Sequence, residues 1–155
     1  MYLYLIRHAH AHAAAEDAER PLSPKGRDQI RRLVKGLSAT TAFQPDEIWH
    51  SPLTRSRQTA RLLAKQLSLS ASIHEIAGLV PEANPRPTAT RLRGARHAIA
   101  IVGHEPHLSA LASLLVTGVP GRVIFKLKKC SLLALELRGT QWTVRWQLAP
   151  ELFGA

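Results

Sequence analysis

The chain has 155 residues, 45% of them hydrophobic, with 21 Lys and Arg against 11 Asp and Glu for a formal charge of +10. Its length suits one domain with a real core and falls short of two ordinary ones, and no apolar run approaches the roughly 20 residues of a membrane span. A single cysteine, Cys130, excludes an intramolecular disulfide and a thiolate metal cluster.

"MYLYLI" is short, apolar and bounded by charge, the pattern of a buried strand. It is too short for a signal peptide and lacks a basic leader and a small-residue cleavage site, so a cytoplasmic location is expected. Residues 9–22 read as a loop. "SPKGRDQIRRLVKGLS" reads as a helix, with Ser23 as N-cap, Pro24 at its first position and Ile30, Leu33, Val34 and Leu37 as its apolar stripe. "DEIWHS" predicts a second strand. "PLTRSRQTARLLAKQLS" predicts a second helix opened by Pro52, with Ala60, Leu63, Ala64 and Leu67 facing the core.

A third strand is expected over 72–76, a proline-rich loop over "VPEANPRP" and a short helix over 88–94. "HAIAIVGH" is the clearest strand, and "PHLSALASLLVTG" follows as a helix closed by Gly118. The end, "CSLLALELRGTQWTVRWQLAP", predicts two strands turning at Gly139. Alternation of strand and helix gives an α/β fold: a three-layer α/β/α sandwich with a mostly parallel sheet and an antiparallel C-terminal hairpin. Ligands in such sheets bind beyond the carboxyl ends of the strands. Arg7–His8, His50–Ser51 and Gly103–His104 fall at those ends.

Fifteen of the positive residues are arginines, scattered without a run of five or six. They suit attraction of phosphorylated or acidic substrates. A basic nucleic-acid-binding module is the non-enzymatic alternative, but no aromatic residues interleave with the basic ones as a stacking platform requires. Cys130, in an apolar run, reads as a small core residue.

His8, His10 and His12 alternate on one segment and so present three imidazoles for a metal. The acids Glu16, Asp17 and Glu19 all lie on the same loop, however, and Arg7 beside His8 repels a cation. No metal or other cofactor is therefore expected, and His10 and His12 read as solvated loop histidines. An arginine beside an unprotonated histidine suits a phosphoryl group: the guanidinium offers a donor fork and the imidazole can attack phosphorus.

"LIRHAHA", "RPLSPKGR", "SPLTRSRQTA" and "IVGHEPHLS" occur in that order within residues 3–109. Together they resemble the histidine phosphatase superfamily, and within it the small SixA-type phosphohistidine phosphatases. The resemblance implies a phosphoglycerate-mutase-like fold, with residues 1–155 as a single histidine phosphatase domain. It implies a phosphorylated His8 intermediate, with Arg7, Arg55 and His104 completing the phosphate pocket. Arg55 would lie about one turn into the second helix. Arg20 would guide an acidic substrate or pair with Glu16 or Asp17.

Ala9 stands where the family's usual motif has glycine, and the Thr and Asn of the mutase-like members are absent, which argues against a mutase. Family members acting on phosphate esters use a carboxylic acid after the third strand. Glu82 is the nearest candidate, and it also reads as a solvated loop carboxylate. The partner implied is a phosphohistidine protein such as a histidine phosphotransfer domain, met by a monomer in the cytoplasm. The alternative is a small phosphorylated molecule, hydrolysed with Glu82 as acid.

Overall fold

The apolar run after Met1 forms strand β1 (Tyr2–Arg7), whose four middle residues are buried. Burial on both faces belongs to the interior of a sheet covered on each side. Then follow α1 (Pro24–Ser38), β2 (Glu47–His50), α2 (Thr54–Gln66), β3 (Ser72–Glu75), α3 (Pro85–Arg93), β4 (Ile99–Gly103), α4 (His107–Thr117), β5 (Leu132–Arg138) and β6 (Gln141–Leu148). Short 3-10 turns occupy Asp17–Glu19, Ala77–Leu79 and Pro150–Leu152. The structure, a computed structural model, describes residues 1–122 and 124–154.

The strands form one sheet in the order β3-β2-β4-β1-β5-β6. β1 to β4 run parallel, whereas β5 is antiparallel to β1 and β6 to β5. Alternate residues feed two cores. Tyr4, Ile6, Ala100 and Val102 pack with Ile30 and Leu33 of α1 and Leu63 of α2. Leu3, Leu5, Ile99 and Ile101 pack with Leu92 of α3 and with Leu108 and Leu111 of α4. This is the three-layer sandwich expected, with the C-terminal hairpin on its β1 side.

Local signals place most helix ends. The Ser23 hydroxyl accepts from the Gly26 amide at the start of α1, and Gly118, at φ 79°, closes α4. Two starts differ from expectation. α3 begins at Pro85, inside the stretch read as loop, because Asn84 caps it and proline is tolerated in a first turn. α2 begins at Thr54, two residues after Pro52. The Leu53 amide is instead held by the Ser51 hydroxyl at 3.3 Å. Arg55 is therefore the second residue of α2, not one turn in. β3 ends at Glu75 and is an exposed edge strand.

Parallel register aligns the strand ends that matter. Arg7 pairs with Gly103, and His50 with Val102. The residues that follow β1, β2 and β4 therefore emerge along one rim.

Candidate active site

His8 leaves β1 beside β4, its amide donating to the Gly103 carbonyl at 2.9 Å. The ring is buried, with Nδ1 2.7 Å from the Ala9 carbonyl oxygen. A carbonyl only accepts, so Nδ1 carries the hydrogen and Nε2 keeps its lone pair. Burial pushes the His8 pKa down to about 3; the Ala9 carbonyl opposes this, while His104, Arg55 and Lys129 add to it. The ring is neutral at pH 7.

Arg7 turns toward the segment before β5. Its Nη1 donates to the Leu127 carbonyl at 3.0 Å. The Cys130 amide in turn donates to the Arg7 carbonyl at 3.0 Å and to that of His8 at 3.2 Å. Cys130 reaches these acceptors at φ 60°, in the left-handed region, which costs a non-glycine residue about 1–2 kcal/mol. It is buried, and burial raises its thiol pKa, as suits an inert core residue.

Arg55 is buried at the start of α2. Its Nη1 donates to the Asp17 carbonyl at 2.9 Å and its Nη2 to Asp17 Oδ2 at 3.3 Å. One turn on, the Thr59 hydroxyl donates to the Arg55 carbonyl at 2.7 Å and accepts from the Ala9 amide at 3.1 Å. This hydroxyl ties α2 to the backbone beside His8. For Asp17, partial burial works against ionisation, but the charge and hydrogen bond of Arg55, joined by Arg20, hold its carboxyl below the usual range.

His104 follows β4, its ring centroid 5.0 Å from that of His8 and the planes at 50°. Nε2 meets the Ser51 hydroxyl at 2.5 Å and the Ser56 hydroxyl at 3.1 Å. Burial first, then Arg55, pushes its pKa down to about 3 against the pull of Asp17. Three buried nitrogens here have no protein partner among the described residues: Arg7 Nε, Arg55 Nε and His104 Nδ1.

The structure thus gathers Arg7, His8, Arg55 and His104 at one rim. The other candidates fall differently. Arg20 pairs with Asp17 at 3.4 Å, not with Glu16, and its Nε donates to the His12 carbonyl at 2.9 Å. Glu82 is exposed in the turn after Leu79. His12 is exposed, but His10 is half-buried and not a solvated loop residue. Its Nδ1 lies 2.7 Å from the Ser23 hydroxyl, and its amide donates to Gln29 Oε1 at 2.8 Å. Gly26 makes this approach possible, because a Cβ there would lie 2.1 Å from the His10 carbonyl oxygen. No three His, Cys, Asp or Glu side chains gather as a metal ion needs among the described residues.

Four contributors were not singled out from sequence: Ser56, Thr59 and Lys129, and Ser51 as the partner of His104; Asp17, expected only as a partner of Arg20, also holds Arg55. The four-residue spacing of Arg55 and Thr59 put them on one helix face and was a usable signal. At the end of β2, Ser51 reaches the site, whereas His50 Nδ1 turns to the Ser51 carbonyl at 2.8 Å.

The profile of the histidine phosphatase superfamily (branch 1) matches residues 3–79. An uncharacterized protein of Picosynechococcus sp. is 31% identical over 142 residues, which span 87% of this chain and 84% of that protein. The protein histidine phosphatase SixA, solved with tungstate, matches with a TM-score of 0.86 at 23% identity, over 98% of this chain and 99% of that one. The α-ribazole phosphatase of Shigella flexneri matches with a TM-score of 0.78 at 19% identity, over 94% of this chain and 95% of that one. No described helix is long and apolar enough to cross a membrane.

Proposed function

Since the chain belongs to the histidine phosphatase superfamily, we propose that it is a phosphohistidine phosphatase, clearing phosphoryl groups from protein histidine through a phospho-His8 intermediate. One observation carries this reading. A buried, neutral His8 keeps its Nε2 lone pair amid residues whose Arg7 Nε, Arg55 Nε and His104 Nδ1 lack partners among the described residues. That pairs a nucleophile with donors suited to an oxyanion.

The reaction has two in-line transfers. His8 Nε2 attacks phosphorus as the substrate's P–N bond breaks, and the departing imidazole takes a proton from water. Water then attacks phospho-His8, the P–Nε2 bond breaks, and inorganic phosphate leaves. Arg7 and Arg55 balance charge on the equatorial oxygens in both steps. With Ser51 donating to His104 Nε2, the neutral ring carries its hydrogen on Nδ1 and donates it to a third oxygen. Cationic side chains thereby take the role a metal plays elsewhere.

The fold likeness to SixA, a protein histidine phosphatase, supports the substrate class. So does the short connection of residues 76–84 between β3 and α3, which leaves no inserted cap to exclude another protein. Glu82, solvent-exposed and distant in role, is not needed, because imidazole leaves more readily than an alkoxide. A histidine phosphotransfer domain in the cytoplasm is the partner this chemistry suits.

The test compares turnover of a phosphohistidine protein with that of p-nitrophenyl phosphate and sugar phosphates, in excess EDTA, for the wild type and Glu82→Gln. The expected result is preference for phosphohistidine, undiminished by EDTA or by the substitution. Preference for a phosphate ester, lost in Glu82→Gln, favours the small-molecule reading. Loss in EDTA restored by zinc or manganese overturns the metal-free mechanism.

A further inference from the structure

Lys129 sits in the segment that clamps the end of β1. The next residue's amide, that of Cys130, donates to the Arg7 and His8 carbonyls at 3.0 and 3.2 Å, and Ser131 closes the turn by donating to Lys128 O at 3.0 Å. Two residues before Lys129, the Leu127 carbonyl holds the Arg7 guanidinium. The neighbouring Lys128 is committed elsewhere, with Nζ 2.8 Å from Glu151 Oε1. Lys129 is half-buried and makes no ion pair among the described residues.

Its surroundings are cationic. Burial, followed by the charges of Arg7, Arg20, Arg55 and Lys25, holds the Lys129 ammonium below the ordinary lysine value. Lys129 in turn acts on His8 and His10. Asp17, the carboxylate bonded to Arg55 and Arg20, is already shared between those two guanidinium groups. A phosphoryl group brings a charge of about −2 at most, which Arg7 and Arg55 balance. Lys129 is then an uncompensated cation crowded by its own kind, an arrangement that favours one more anion.

We infer that Lys129 is a specificity-determining residue, forming a second anion subsite beside the phosphoryl pocket that takes an aspartate or glutamate carboxylate next to the phosphorylated histidine. The inference rests on the phosphohistidine reading and deepens it, by naming the sequence context selected.

Two synthetic peptides test it, each with one phosphohistidine, flanked in one by Asp and Glu and in the other by Asn and Gln. The readout is the ratio of their kcat/KM values. Any effect of Lys129 on His8 itself acts on both peptides alike and cancels. The wild type should favour the acidic peptide by about 10-fold at low salt, and the preference should fade as salt rises. Lys129→Ala should bring the ratio close to one, Lys129→Glu should invert it, and Lys129→Arg should retain it. A wild-type ratio near one overturns the subsite alone, as does a preference that survives in Lys129→Ala and Lys129→Glu. The wild-type ratio and its salt series need no variant, and a ratio near one, or a preference that salt leaves unchanged, overturns the subsite even where a substitution unfolds the chain. Hydrolysis of neither peptide overturns the phosphohistidine reading and the subsite with it.

Discussion

The rings of His8 and His104 lie 5.0 Å apart, tilted 50°, and burial holds both neutral at pH 7. Their hydrogen-bond partners set them to opposite tasks. The Ala9 carbonyl takes the hydrogen of His8 Nδ1 and leaves a lone pair on Nε2. The hydroxyls of Ser51 and Ser56 occupy His104 Nε2 and leave Nδ1 without a partner among the described residues. On the proposed path, one imidazole attacks and the other donates.

Thr59 is expected to matter more than a hydroxyl one turn beyond Arg55 suggests. It bridges the Ala9 amide and the Arg55 carbonyl. Thr59→Val keeps the shape but strands a buried amide, which should cost about 1–3 kcal/mol of stability. Denaturant titration measures that loss. Turnover under folded conditions should fall as well, because Arg55 and the backbone beside His8 lose their common tie.

On the proposed path, Asp17 competes with the phosphoryl group for Arg55. Its carboxylate is largely exposed while the guanidinium it meets is buried. Exposed pairs contribute about 0.2–1 kcal/mol. Asp17→Asn should therefore tighten inhibition by phosphate or vanadate by up to about fivefold. Weaker inhibition in the variant contradicts this and makes Asp17 the group that orients Arg55.

The fold was legible where a local signal carried it. Apolar runs marked β1 and β4, Ser23 and Pro24 marked the start of α1, and Gly118 marked the end of α4. The sheet order was not legible, because nothing local tells β1 to sit between β4 and β5. Within the site, Arg7 and His8 are adjacent and visible together, but the elements meeting them come from far along the chain. Leu127 holds Arg7 across 120 positions, and Ser51 meets His104 across 53. Such contacts are set by strand register, which no window of sequence contains. His10 was misread because its binding to Ser23 depends on close approach of α1 at Gly26.

Acid should weaken the fold in a defined window. The folded pKa values of His8 and His104 are about 3 and that of His107 about 4, all below the ordinary value of 6.5. Between those limits the unfolded chain binds more protons than the folded one, so stability falls as pH drops from 6.5 toward 3. His107 is buried with neither ring nitrogen partnered among the described residues, and burial lowers its pKa. His107→Leu should raise stability at pH 7 by about 1 kcal/mol and reduce the loss between pH 7 and 4.5. Denaturation midpoints at the two pH values decide it; an unchanged difference assigns the acid sensitivity to other groups.

The most direct measurement is rapid quench of the enzyme with a substrate labelled in its phosphoryl group. Label should appear on the protein, stable in alkali and lost in acid, and peptide mapping should place it on His8. His8→Ala should carry no label and lose about 10³-fold or more in turnover. Full turnover in that variant, or label on any other residue, contradicts a phosphoryl transfer through His8.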